Sequence, residues 1–181
     1  MPATQTACPP AGIARAAVFA PLVLGSHQNI VYIFNQGTSS SSWSGEIKRY
    51  DASTGHKVII VNSPTSLIAY AQISADGQWI LFTTQVSGEM ALQLVRMDGQ
   101  GLQTLYCSYT EQFGLGSIEW SPGQKTVVFM DGDRVDLLEL ATGHLQVVLV
   151  EPTAGIWVSP ATWLDDTHIY MTSFVPYSDA P

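Results

Sequence analysis

Ser74-Ala75-Asp76-Gly77-Gln78-Trp79-Ile80-Leu81-Phe82 is a serine, a polar turn closed by glycine, and an apolar run that ends in phenylalanine. Asp76-Gly77 signals a hairpin turn, because glycine accepts positive φ and aspartate hydrogen-bonds its own backbone. The same order returns about 47 residues later as Ser121-Pro122-Gly123-Gln124-Lys125-Thr126-Val127-Val128-Phe129. A looser third copy, Trp163-Leu164-Asp165-Asp166-Thr167-His168-Ile169-Tyr170-Met171, follows after about 43 more, with Trp163 matching Trp120.

A second motif lies between these copies. Arg49-Tyr50-Asp51-Ala52-Ser53-Thr54-Gly55-His56 leads into Val58-Ile59-Ile60-Val61. Leu137-Leu138-Glu139-Leu140-Ala141-Thr142-Gly143-His144 leads into Val147-Val148-Leu149-Val150. The two Thr-Gly-His triplets are about 88 residues apart, two periods of about 44, and Arg96-Met97-Asp98-Gly99 stands between them. A period of about 40 to 50 residues is that of a propeller blade.

Outward from Ser74 the best unit reads as four strands, about Leu67–Ser74, Trp79–Val86, Ala91–Asp98 and Leu102–Tyr109. Asp76-Gly77, Ser87-Gly88 and Asp98-Gly99 mark its turns. Leu92, Leu94 and Arg96 alternate with Gln93, Val95 and Met97, as expected of a strand with two unlike faces. No long window has the helical period with caps, so helix is expected to be scarce. The expected fold is all-β, with four-stranded antiparallel blades. The blades are placed at about 29–62, 67–109, 116–151 and 157–175, after an N-terminal segment 1–28 that supplies at most one strand.

Composition agrees. Of 181 residues, 46% are hydrophobic and 12% charged, a charged share about half that of ordinary soluble domains. Sheets packed face to face bury most side chains and leave little room for charge. The formal charge is −8, and seven scattered Lys and Arg cannot follow a phosphate backbone, which excludes nucleic acid and an anionic membrane as expected partners. No stretch reaches the roughly 18 apolar residues of a membrane span; 11–24 comes nearest and contains Arg15 and Pro21. Met1 to Pro10 has no Lys or Arg, so a signal-peptide n-region is missing. Cys8 and Cys107 do not make a disulfide framework, and two unpaired thiols are the simpler expectation; a bridge would close a loop of about 100 residues.

The Ser74-Ala75-Asp76-Gly77 and Ser121-Pro122-Gly123-Gln124 segments resemble the TolB-like, or WD-repeat-like, β-propeller family. The second copy lacks the family's Asp and the third lacks its Ser. The resemblance runs from about Asn29 to Val175 and extends to bacterial surface or lipoprotein ectodomains that carry such propellers. It implies a fold and no particular activity. Members of that family usually close rings of more blades than this chain holds, so a fragment of a larger propeller is expected. The alternative is a small ring closed by 16–24 and 168–175.

No catalytic, metal or cofactor residue is assigned. His56 and His144 follow equivalent Thr-Gly turns and read as exposed turn residues; His27 and His168 have no partner at zinc spacing. Asp131-Gly132-Asp133-Arg134-Val135-Asp136 has carboxylates without the calcium-loop order and reads as a hairpin. Gly114-Leu115-Gly116-Ser117 lacks the strand and helix of a phosphate loop, and no Gly-x-Ser-x-Gly elbow is present. Among Trp43, Trp79, Trp120, Trp157 and Trp163, the repeat-related pair Trp120 and Trp163 reads as packing between blades, with a ligand platform as the rival. The Ser-rich 37–44 is a hairpin loop. The expected role is a non-catalytic binding or scaffolding module outside the cytoplasm, its loops meeting a protein or peptide and its open blade edges prone to self-association. The rivals are an accessory propeller that gates a larger hydrolase or serves as sensor to a kinase, and a lyase or glycosidase site in the channel.

Overall fold

The computed structural model describes residues 8–9, 15–23, 29–38, 42–86, 89–108, 114–150 and 157–174. His27, Leu24, the Ser87-Gly88 turn and Val175 lie outside them. The described residues form thirteen strands and no helix, and about half the chain is strand. These are β1 (Asn29–Gln36), β2 (Ser44–Asp51), β3 (Lys57–Ser63), β4 (Leu67–Ile73), β5 (Trp79–Val86), β6 (Glu89–Arg96) and β7 (Gln103–Ser108). They are followed by β8 (Leu115–Trp120), β9 (Thr126–Asp131), β10 (Arg134–Glu139), β11 (Leu145–Val150), β12 (Trp157–Trp163) and β13 (Ile169–Phe174).

Each strand pairs antiparallel with its sequence neighbour inside one of four sheets: β1-β2-β3, β4-β5-β6-β7, β8-β9-β10-β11 and β12-β13. Phe34 of β1 is the repeat counterpart of Phe82 in β5, so the first sheet holds counterparts of the second, third and fourth strands of a blade. Trp163 ends β12 as Trp120 ends β8, so the last sheet holds counterparts of the first and second. Two sheets are complete four-stranded blades and two are partial. Residues 15–23 join none of them.

The sheets stack through three apolar layers. Ile47, Ile60, Ile68, Ile80, Phe82 and Val95 fill the space between the first and second. Leu81, Leu92, Leu94, Leu105, Phe129 and Leu138 fill that between the second and third. Val128, Val135 and Val158 meet Trp163, Ile169 and Met171 between the third and fourth. The second sheet is therefore buried on both sides. Leu92 and Leu94 point one way while Val95 and Met97 point the other, and all four are core. This corrects the expectation of two unlike faces for β6: Gln93 sits on the Val95 side, buried, and reaches Thr104 Oγ1 at 3.1 Å. Each fully buried Leu, Ile or Phe contributes about 1.5–3 kcal/mol relative to exposure.

The repeat serine works as a turn lock. Ser74 is buried, its hydroxyl accepts from Trp79 N–H at 2.9 Å and donates to Asp76 Oδ1 at 2.6 Å. Ser121 is buried likewise and accepts from Thr126 N–H at 3.1 Å. In the third copy Leu164 takes the serine position. Asp165 does the locking instead, accepting from Thr167 N–H at 2.7 Å and His168 N–H at 2.9 Å. These hydrogen bonds hold the Asp165 carboxyl well below the ordinary range.

Side-chain amides fasten one sheet to the next. Asn35 grips the backbone of Ile68, donating to its carbonyl at 2.8 Å and accepting from its N–H at 3.0 Å. Gln72 accepts from Trp120 N–H at 3.0 Å and donates to Glu119 Oε2 at 2.7 Å.

The cysteines differ from expectation. Cys8 and Cys107 form a disulfide across 99 residues of sequence, with Cα atoms 5.8 Å apart. Two cysteines have no spacing pattern to reveal their pairing. The fold brings Cys8 to the outermost strand of the second sheet, a meeting that only tertiary structure decides.

Candidate functional site

The turns between first and second strands, and between third and fourth, open at one end of the stack. Residues 15–23 run across that end. Ala16 N–H donates to Leu140 O of the third sheet at 2.8 Å, and Ala17 N–H to Gln103 Oε1 at 2.5 Å. Arg96 Nη1 donates to Ala20 O at 3.0 Å. The Gln78 amide takes Leu22 by both backbone groups, accepting from N–H at 2.5 Å and donating to C=O at 3.3 Å. Phe19 tilts against Trp79, ring centroids 5.6 Å apart, under the Arg96 guanidinium. Ala16 packs on the layer between the second and third sheets, and Leu22 on that between the first and second. The segment is thus a strap over three sheets.

Between strap and sheets lies a groove of about 440 Å³, lined chiefly by Phe19, Trp79, Leu94, Trp120 and Leu140. Asp76, Lys125 and Glu139 stand among its polar lining. Trp120 Nε1 is buried with no hydrogen-bond partner among the described residues. Apolar walls, few polar groups and a preformed shape are the usual composition of a binding site. Trp120 packs on the layer between the second and third sheets as well as lining the groove. Trp163 packs on the next layer and donates from Nε1 to Glu119 O at 3.4 Å. Trp43 is half-buried before β2, and Trp157 opens β12.

A charged cluster sits between the second and third sheets. Tyr106 Oη donates to Asp131 Oδ2 at 2.5 Å, and the Ser108 hydroxyl donates to Asp131 Oδ1. Arg134 reaches Asp131 Oδ2 from Nη2 and Asp136 Oδ2 from Nε, each at 2.9 Å. Asp136 has no exposed surface, and its Oδ1 lacks a partner among the described residues. Burial pushes its carboxyl up from the ordinary value, and Arg134 draws it back only in part. Burial also pushes the Tyr106 phenol up, reinforced by its bond to Asp131. With two carboxylates held by one guanidinium, this is an ion network closing a sheet interface.

The other sequence candidates are dispersed. His56 and His144 are exposed in turns of identical bonding: Asp51 N–H donates to His56 O and Glu139 N–H to His144 O, each at 2.9 Å. Asp131 ends β9 and Arg134 begins β10, so Gly132-Asp133 is a tight hairpin. Leu115, Gly116 and Ser117 belong to β8, and Ser117 meets Ser159 hydroxyl to hydroxyl at 2.6 Å. His168 pairs with Asp165 inside its own turn at 2.9 Å. Gly37 and Ser44 bracket the β1–β2 connection, of which 39–41 lie outside the described residues. Among the described residues no three His, Cys, Asp or Glu converge as metal ligands, and no helix is long and apolar enough to cross a membrane.

Sequence reasoning missed the strap groove and the charged cluster. The 47-residue repeat signalled that Trp79 and Trp120 sit on neighbouring blades. Nothing local signalled that Phe19 would lie over Trp79.

Stacked four-stranded antiparallel sheets, each strand paired with its sequence neighbour, define a β-propeller, here in part. The solved structures agree. TolB from Acinetobacter baumannii is similar with a TM-score of 0.58 and 14% identity, over 75% of this chain and 33% of that one. An oligogalacturonate lyase in complex with manganese is similar with a TM-score of 0.53 and 11% identity, over 81% of this chain and 49% of that one. A prolyl endopeptidase is similar with a TM-score of 0.55 and 9% identity, over 80% of this chain and 26% of that one. The chain matches half or less of the length of each. No family model matches the sequence, and no curated protein matches it. The chain therefore has a TolB-like β-propeller fold, matched over part of the length of its relatives.

Proposed function

We propose that the chain is a non-catalytic binding module whose turn-end groove meets a protein or peptide partner. The observation that carries this reading is the apolar groove between Trp79, Leu94, Trp120 and Leu140, held open by sheets that are buried on both sides. Rigid blades supply the frame, and turn residues are free to set the contact. The disulfide supports a place outside the cytoplasm, where such bonds persist. The net charge of −8 disfavours nucleic acid as the partner. The second reading, an accessory propeller gating a larger hydrolase or serving as sensor to a kinase, draws on the likeness to part of a prolyl endopeptidase.

A random-peptide display selection on the immobilised chain tests the module. Enriched peptides are expected to lose at least about tenfold in affinity on Ala141→Arg, which drives a charged side chain into the groove from an exposed turn. Failure to enrich any peptide sensitive to that substitution would reject the reading.

A further inference from the structure

The groove carries two carboxylates among its apolar walls. Asp76 comes from the β4–β5 turn of the second sheet, and Glu139 from the end of β10 in the third. Both are exposed, and each commits one oxygen to its own turn. Asp76 Oδ1 accepts from the Ser74 hydroxyl at 2.6 Å and from Gln78 N–H at 3.0 Å. Glu139 Oε2 accepts from the Thr142 hydroxyl at 2.6 Å. Asp76 Oδ2 and Glu139 Oε1 have no partner among the described residues. Lys125 is the one cation among the described residues of the lining.

The other walls are the aromatic rings of Phe19, Trp79 and Trp120. The face of such a ring attracts a cation, tryptophan most strongly. The chain already seats one cation on this wall. The Arg96 guanidinium lies 5.6 Å from the Phe19 ring centre and takes Asp98 by a two-pronged bond, Nε donating to Oδ1 at 3.0 Å and Nη2 to Oδ2 at 2.6 Å. Arg96 lines an adjoining cavity of about 330 Å³, which shares Phe19, Asp76 and Trp79 with the groove. An aromatic ring beneath and a carboxylate at the edge are thus the local means of holding a guanidinium. The groove repeats both without an arginine of its own in the lining.

An arginine side chain suits every wall. Its stem is apolar, its planar head stacks on aromatic rings, and its several donors can serve carboxylates on two sides. The lysine ammonium is compact, more strongly hydrated and unable to stack. An aliphatic or aromatic guest would cover Asp76 and Glu139 without offering either a donor, which costs free energy. The net charge of −8 steers a basic segment towards the chain.

Resting on the binding-module reading, we infer that the groove is an arginine receptor: a basic partner peptide inserts one arginine between strap and sheets, its guanidinium paired with Asp76 and Glu139 against Trp79 and Trp120. The strap stays where it is, as a wall fixed by Phe19 on Trp79. Lys125 opposes the guest.

The test titrates the full chain with acetyl-Gly-Ser-Arg-Ser-Gly-amide at millimolar concentration and follows the indole N–H signals. Those of Trp79 and Trp120 are expected to move and that of Trp43 to stay. Citrulline in place of arginine keeps the shape and removes the charge, and is expected to weaken binding about tenfold. Glu139→Gln should weaken the arginine peptide about fivefold and leave the citrulline peptide unchanged. Asp76→Asn, which keeps Oδ1 for its turn, should act in the same direction. Lys125→Ala should strengthen binding about threefold. Equal binding of the arginine and citrulline peptides, or unmoved Trp79 and Trp120 signals, would overturn the inference. Tighter binding of a glutamate peptide would overturn it in favour of an anionic partner drawn by Lys125. Guanidinium chloride binding as tightly as the peptide would overturn the peptide in favour of a small cation. A dimer that Arg15→Gln returns to monomer would overturn a foreign partner in favour of a second copy, since Arg15 is exposed. Display-selected peptides that Ala141→Arg blocks but that contain no arginine, together with an inert arginine peptide, would reject the inference and leave the binding module standing.

Discussion

Gln124 holds, at φ 56°, the place that Gly77 holds at φ 70° one repeat earlier. Both donate their N–H to the repeat serine at 2.8 Å, so the turn is the same and only the residue differs. A non-glycine residue in the left-handed region costs about 1–2 kcal/mol. Glycine costs about 0.5–1 kcal/mol in unfolded-chain entropy. The strain is the larger effect. Gln124→Gly is expected to stabilise by about 0.5–1 kcal/mol in urea unfolding, and Gly77→Gln to destabilise by at least as much. A loss of stability in the first variant would contradict this account.

The Cys8–Cys107 bond should dominate stability under oxidising conditions. Closing a loop of about 100 residues is worth up to about 4.7 kcal/mol in the chain-entropy model. The folded chain recovers some freedom around the exposed Cys8 when the bond opens, which lowers the net loss to about 2–4 kcal/mol. Reductant is expected to lower the unfolding free energy measured in urea by that amount, and Cys8→Ser/Cys107→Ser to abolish the response. An unchanged midpoint would show that the bridge constrains nothing the strands do not already fix.

Much of the fold was legible because the repeat writes its turns locally. Ser74, Asp76 and Gly77 act on each other within a few residues, so their pattern survives in sequence. The strand expected at Trp79–Val86 is β5 with those bounds, and that expected at Leu67–Ser74 is β4, Leu67–Ile73. What stayed hidden depends on partners distant in sequence. Phe19 meets Trp79 across 60 positions, and Cys8 meets Cys107 across 99. Neither pair has a spacing rule. Asp136 read as a turn carboxylate, because its hairpin is written locally while the neighbouring sheet that brings Tyr106 to Asp131 and Arg134 beside it is not.

The Arg134 network gives a third expectation. Removing the cation leaves Asp131 and Asp136 buried beside each other. Arg134→Met is expected to destabilise by about 3 kcal/mol, since an uncompensated buried charge costs more than the pair contributed. Adding Asp136→Leu should recover at least half of that loss, because an apolar pair of similar size suits the layer. The double-mutant cycle in urea measures this coupling. Additive losses would mean that the two side chains do not interact.

Asp51 supplies a pH-dependent turn. The Ser53 hydroxyl at 2.6 Å, then Ser53 N–H at 2.8 Å, hold its carboxyl down to about 2. A carboxyl lowered on folding adds stability above its unfolded pKa, near 3.8, and loses that contribution as pH falls through about 2. Carboxyl carbon shifts are expected to place the Asp51 midpoint near 2, and Ser53→Ala to move it back towards the usual carboxylate range. A midpoint in that usual range in the wild-type chain would remove Ser53 from the account.

The outward face of the first sheet gives the last expectation. Val31, Ile33 and Ile47 on one side pack into the layer shared with the second sheet. The other side carries Ile30 opposite Tyr50, Tyr32 opposite Lys48 and Phe34 opposite Glu46, with Ile59 opposite Lys48 on the far strand. Ile30 is 53% exposed, Ile59 44% and Phe34 40%. Lys48 reaches Glu46 Oε2 at 2.6 Å and lies 4.2 Å from the Phe34 ring centre, and Lys57, opposite Tyr50 at the sheet's edge, lies 5.9 Å from the Tyr50 ring centre, so both lysines on this face are engaged within the sheet. Contiguous exposed apolar surface favours association, and an unpaired strand edge templates it. The chain is therefore expected to self-associate, with scattering mass rising as concentration rises. Ile30→Thr/Ile59→Thr keeps β-branched residues in both strands while removing apolar surface. Each isoleucine contributes about 1.5–3 kcal/mol when fully buried, and a tenfold change in affinity needs about 1.4 kcal/mol. Even at half that burial the two together should weaken association at least tenfold. A wild-type chain that stays monomeric at millimolar concentration would show that this face needs no cover.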